Sequence, residues 1–95
     1  MPAYVIAIRE KTRNPEEIAA YGAAARGARD GHKITPRAFY GPQVVLEGPT
    51  PEGVAILEFP SVEEARAWYD SPAYSAAREH RFKGADYRFI IVEGV

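Results

Sequence analysis

Glu58-Phe59-Pro60-Ser61-Val62-Glu63-Glu64-Ala65-Arg66-Ala67-Trp68-Tyr69-Asp70-Ser71-Pro72-Ala73-Tyr74 is the stretch that decides the fold. It begins as the end of a strand, enters a helix at Ser61, and starts a second helix at Ser71-Pro72. Ser61 and Glu64 stand at capping-box spacing, so the serine oxygen and the glutamate satisfy backbone donors that the first turn leaves free. Val62, Ala65 and Trp68 (or Tyr69) then recur at the helical period as an inward face through about Tyr69. Ser71 caps the next helix, and Pro72 suits its first position, where a missing N–H costs nothing. That helix runs to about Phe82, with Tyr74 and Ala77 as its core contacts.

Working outward, Ala3 to Ile8 is an apolar run rich in β-branched residues and reads as a buried strand. Asn14-Pro15-Glu16-Glu17 starts a helix by the same cap-plus-proline logic, with Glu17 placed to reach back to the cap. Its stripe is Ile18, Tyr21 and Ala25, its many alanines allow close approach to a sheet, and Gly27 or Gly31 ends it. Residues 32–53 are broken by Pro36, Pro42, Pro49 and Pro51. Gln43 to Glu47 is expected as a strand, with Thr35 to Tyr40 as a second candidate before it. Proline here points to an edge strand with a bulge. Val54 to Phe59 and Tyr87 to Glu93 complete the sheet. The order β-α-β-β-α-β predicts an α+β, ferredoxin-like unit: a four-stranded antiparallel sheet with helices on one face, in one domain spanning residues 1–95.

Composition narrows the function classes. The 95 residues are 46% hydrophobic and 26% charged, with a net charge of −1, which gives no pull toward nucleic acid or an anionic membrane. There is no cysteine, so disulfides and thiolate chemistry are absent. The N-terminal apolar run is too short to span a bilayer and lacks a basic flank, which makes the cytoplasm the default expectation. No phosphate loop, H-E-x-x-H, G-x-S-x-G or dinucleotide fingerprint occurs, and no cofactor or metal is expected.

Three segments, Glu58-Phe59-Pro60-Ser61, Trp68 to Tyr74 and Ile91-Val92-Glu93-Gly94, resemble a family of small bacterial proteins known as domain of unknown function 1330, in the dimeric α/β-barrel group. The resemblance implies a dimeric α/β barrel and no particular reaction. The sheet independently argues for a partner. Tyr4, Ile6 and Ile8 face one way and Val5 and Ala7 the other. Val54 and Ile56 likewise oppose Ala55, Leu57 and Phe59, and both faces of the last strand are apolar. Helices cover one face only, so the other is expected to meet a second copy.

Candidate chemistry rests on few residues. His80 stands where the family pattern is usually apolar, and Arg81 recurs seven residues after the tyrosine. A neutral imidazole can act as acid or base while a guanidinium holds a carboxylate or enolate, so His80 and Arg81 are the catalytic candidates. Their alternative reading is a half-buried histidine and an arginine whose stem packs. His32, on the loop after the first helix, reads as exposed. Arg37 and Tyr40 lie where relatives carry Arg-Gly-Gly, and with Trp68, Tyr69 and Tyr74 they are candidates to line a site for a planar, polar ligand. For the aromatics, ordinary core packing is the competing role. The readings that remain are a homodimeric small-molecule-binding protein, a cofactor-independent enzyme (isomerase, cyclase or monooxygenase type) acting on a small carbonyl, lactone or aromatic acid, and a structural dimer without a ligand pocket.

Overall fold

In a computed structural model of residues 1–95, the apolar run at Ala3–Ile8 is the first part of a longer strand, β1 (Ala3–Thr12). Then follow α1 (Pro15–Gly27), β2 (Thr35–Phe39), β3 (Gly53–Phe59), α2 (Val62–Tyr69), α3 (Pro72–Gly84) and β4 (Ala85–Glu93). The strands pair antiparallel in the order β2-β3-β1-β4, the ferredoxin-like arrangement, with α2 and α3 continuing one another through the Ser71-Pro72 restart. No helix is long and apolar enough to cross a membrane.

The helix starts follow the expected caps. Ser61 Oγ accepts from Glu64 N at 3.1 Å, Ser71 Oγ from Tyr74 N at 3.2 Å, and Asn14 Oδ1 from Glu16 N at 3.1 Å. The expected return contacts from Glu17 and from Glu64 to their caps do not form, and the Glu17 carboxylate reaches across to His80 instead. One strand is misplaced by sequence reasoning. The edge position beside β3 is taken by Thr35–Phe39, with a register shift at Arg37 that realises the expected bulge, while Gln43–Glu47 forms no strand. β2 takes the free edge of β3, and Gln43–Glu47 adds no further strand to the outer edge of β2.

The sheet's alternation sorts its residues as expected. Ala3, Val5 and Ala7 are buried beneath the helices, as are Ala55 and Phe59 of β3. Their neighbours Tyr4, Ile6, Ile8, Val54 and Ile56 share the opposite face with Ile90 and Val92, which are 41% and 45% exposed. Register places Ile6 between Ile56 and Ile90 at the centre of that uncovered face. Under the helices, Phe59, Trp68, Tyr74 and Ala77 form the core with Val5 and Ala65. Trp68 and Tyr74 stack with ring centres 4.1 Å apart, and Phe59 meets Trp68 at 5.2 Å.

Candidate functional site

The helix-facing side of the sheet is built in rows set by register. Gly53, Arg9 and Tyr87 lie side by side on β3, β1 and β4, and the next row is Ala55, Ala7 and Phe89. On β3 these two rows present only Gly53 and Ala55, with Ala7 beside Ala55, where the later rows carry Leu57 and Phe59. Above them lie Gly22 and Ala25 of α1, which are equally small. Small residues on both walls leave a gap of about 310 Å³ between α1 and the sheet, lined also by Tyr21, Leu57, Trp68 and Phe89. Ala25 of α1 thus borders the cavity while also packing, with Ala24, against the core, which matches the close approach that the alanines allow. The cavity's size lies at the small end of ordinary ligand sites.

Tyr40 closes one side of this cavity. It has φ 57°, which no other non-glycine residue here shares in sign. Such left-handed backbone costs on the order of 1 kcal/mol in a bulky residue and persists only where surroundings enforce it. Here they do. Its N–H continues the ladder to Val54 O at 2.9 Å, its ring lies over Gly53, and Arg9 stacks on the ring at 5.0 Å. A Cβ at Gly53 would stand 2.6 Å from Tyr40 Cδ1, so glycine is what lets the ring lie there. The phenol then shares a 2.7 Å hydrogen bond with the Tyr87 hydroxyl. Burial first, and this bond second, push the Tyr40 phenol far above its ordinary range. A second hydroxyl pair, Tyr21–Tyr74 at 2.8 Å, lies on the α3 side, and burial raises both of those phenols as well.

Arg81 lies behind the cavity wall, 3% exposed. Its guanidinium carbon is 4.0 Å from the centre of Phe89, 5.2 Å from Tyr87 and 6.0 Å from Tyr21, three rings that line the cavity. No carboxylate pairs with it, so the ring faces stabilise its charge. Its neighbour in sequence goes elsewhere. His80 sits on the outer flank of α3, 41% exposed at its side chain, with Nδ1 2.7 Å from Glu17 Oε2, and it does not line the cavity.

The remaining candidates divide. Tyr40 and Trp68 line the cavity. Tyr74 is wholly buried behind it, and Tyr69 borders a separate cleft of about 350 Å³ with Phe89 and Ile91. Arg37, at the β2 bulge, pairs with Glu58 at 2.8 Å on the uncovered sheet face. His32 is half-buried on the loop after α1 and donates its backbone N–H to Arg29 O. No three His, Asp or Glu side chains converge as a metal site would need. Sequence reasoning missed Arg9, Tyr87 and the rim arginines Arg26 and Arg29. Arg9 was legible in principle: it is in phase with Val5 and Ala7, and ending the strand at Ile8 hid it.

Solved structures share this architecture. A protein of unknown function from Rhodopseudomonas palustris superposes with a TM-score of 0.79 at 23% identity, covering 99% of this chain and 82% of its own. A dimeric ferredoxin-like protein of unknown function from Thermobifida fusca gives 0.66 at 15% identity, covering 97% and 90%. The cofactor-independent oxygenase SnoaB of Streptomyces nogalater gives 0.60 at 9% identity, covering 99% and 92%. At these identities the likeness is one of fold. No curated protein matches significantly. The sequence profile of the domain of unknown function DUF1330 matches residues 2–95, and the chain belongs to that family.

Proposed function

We propose that the protein is a homodimer that binds a small organic molecule in the cavity between α1 and the sheet. The observation that carries this reading is the placement of Tyr40: a bulky residue held at φ 57° over Gly53, its hydroxyl tied to Tyr87 at the cavity wall. Packing alone would be served by an unstrained residue, and strain of this kind concentrates at ligand sites. The homodimer is supported by the uncovered apolar face centred on Ile6, since exposed apolar patches of this continuity mark interfaces. Val44 and Leu46, 86% and 88% exposed in the unpaired Gln43–Glu47 segment, add apolar surface that a second copy would cover.

A cofactor-independent enzyme is the second reading, and the Tyr40–Tyr87 pair favours it. The Tyr40 phenol, kept protonated by burial beside Arg9, would donate to an oxygen as negative charge develops on it. In this reading the chemistry belongs to groups at the cavity, and the acid–base role considered for His80 passes to them.

Two measurements test the proposal. Sedimentation at micromolar concentration is expected to give about twice the 10.5 kDa chain mass, and Ile6→Asp about one chain mass. A stable monomer of the parent protein would overturn the dimer. Fragment screening by protein NMR is expected to shift Tyr40, Trp68 and Phe89 together, and Ala55→Leu, which fills the cavity, to abolish those shifts. Shifts confined to other surfaces would overturn the site.

A further inference from the structure

Two buried donors on residues around the cavity lack a hydrogen-bond acceptor. Every charged residue lining it is an arginine: Arg9 on the sheet, and Arg26 and Arg29 at the end of α1. Neither Arg26 nor Arg29 pairs with a carboxylate. Trp68, 3% exposed, has an indole N–H without a protein partner, and the Nε–H of Arg9 is likewise buried and unpaired. Glu52 Oε1 lies 3.2 Å from that Nε, but the two are not aligned as a hydrogen bond, and Glu52 gives both oxygens to the backbone N–H and hydroxyl of Thr12. A buried donor left unmade costs roughly 1–3 kcal/mol, so one on the sheet and one on α2, both on residues lining the cavity, call for an explanation. Arg81, unpaired behind Phe89 and Tyr87, adds a further positive charge to the same wall. All this occurs in a chain whose net charge is −1.

Resting on the small-molecule reading above, we infer that the ligand is a small planar anion, an aromatic carboxylate of one or two rings. Its carboxylate would take the unmade N–H bond at Arg9, and its ring would lie against the apolar wall of Leu57, Tyr21 and Phe89 toward Trp68. Arginine suits this because its fork matches a carboxylate and its plane stacks on aromatic faces. Low-dielectric walls concentrate the field of the rim arginines, which raises the local concentration of anions.

The test uses one- and two-ring aromatic carboxylates, each paired with its uncharged primary amide of nearly equal shape. Binding is followed by protein NMR and by the fluorescence of Trp68, the only tryptophan in the chain. Each acid is expected to bind at least ~10-fold more tightly than its amide, the margin of one charge-assisted contact. Arg9→Gln is expected to shrink that ratio severalfold. Arg29→Gln, at the exposed rim where folding is not at risk, is expected to weaken the salt dependence of acid binding. If amides bind as tightly as acids, the anion inference fails and the cavity remains a binding site. If no member of any pair perturbs Trp68 or the lining residues, the small-molecule reading fails with it.

Discussion

Two halves of the same layer, between helices and sheet, are built on opposite principles. Over α2 and α3, Phe59, Trp68, Tyr69 and Tyr74 pack ring against ring with centres 4.1–6.4 Å apart, and Tyr74 and Ala77 are fully buried. Over α1, no residue of the helix is fully buried, and alanine and glycine on both walls leave a cavity instead. Large rings fill one half of the layer, and the half without them keeps an open cavity.

Breaking the solid half gives the largest effect. Tyr74→Ala removes a wholly buried ring and leaves the Tyr21 hydroxyl without its partner. About 3–5 kcal/mol is expected for a large aromatic cut to alanine, a big share of the roughly 5–15 kcal/mol that holds a small domain together. Chemical denaturation checks this. A loss below about 1 kcal/mol would mean that the aromatic cluster is not the core.

The same division explains what was legible in the sequence. Helix boundaries around residues 61–84 were, because Ser61, Ser71 and Pro72 act locally and their caps form as the spacing predicts. The inward and outward faces of the strands were too, since period-2 alternation survives any tertiary arrangement. The cavity was not. It depends on Gly53, Arg9 and Tyr87 meeting in one row, and register is a relation between strands far apart in the chain. Tyr40 was singled out, but nothing local foretells its positive φ. Arg81 and His80 looked alike as neighbours at the edge of one helical face, yet 100° of rotation buries one among rings and sends the other to Glu17.

A sharper test of the division comes from alkaline pH. Burial holds the phenols of Tyr21, Tyr40 and Tyr74 above their ordinary value near 10, the first two far above. Raised acids favour the folded state while they stay protonated. Their contribution is therefore fully present below pH ~10 and is lost as pH rises beyond it, where the unfolded chain releases protons that the folded one keeps. The melting temperature is expected to be insensitive to these groups near neutrality and to fall above pH 10. Spectrophotometric titration should show their ionisation only together with unfolding. Ionisation of all six tyrosines in a folded protein would place these phenols in water.

A smaller effect probes the wall itself. Gly53→Ala puts a methyl 2.6 Å from Tyr40 Cδ1, so the ring must move and its hydrogen bond to Tyr87 breaks. The bond is worth about 0.5–1.5 kcal/mol, a modest stability loss set by its net value. The larger consequence is for ligand binding, because Tyr40 no longer closes the cavity. Wild-type affinity in a folded Gly53→Ala protein would remove Tyr40 from the site.

The comparison is finest where one substitution is made in each half. Gly22→Ala and Gly84→Ala both add a single methyl to a helix, yet opposite signs are expected. At Gly84 the new carbon would lie 2.8 Å from Ile18 Cδ1 and 3.0 Å from Ile18 N, and backbone cannot yield as a side chain does. Overpacking of this kind costs roughly 1–3 kcal/mol. At Gly22 the nearest atom is Arg26 Nη1 at 4.0 Å, ordinary contact with the far end of a flexible side chain, and the residue lines the cavity. There the methyl meets no obstacle, and alanine gains the roughly 0.5–1 kcal/mol by which it exceeds glycine inside a helix. Equilibrium denaturation of the two variants decides it. Two losses would mean that α1 is packed as tightly as α3 and the cavity is not there, whereas a gain at Gly22 beside a loss at Gly84 places the open space beneath α1.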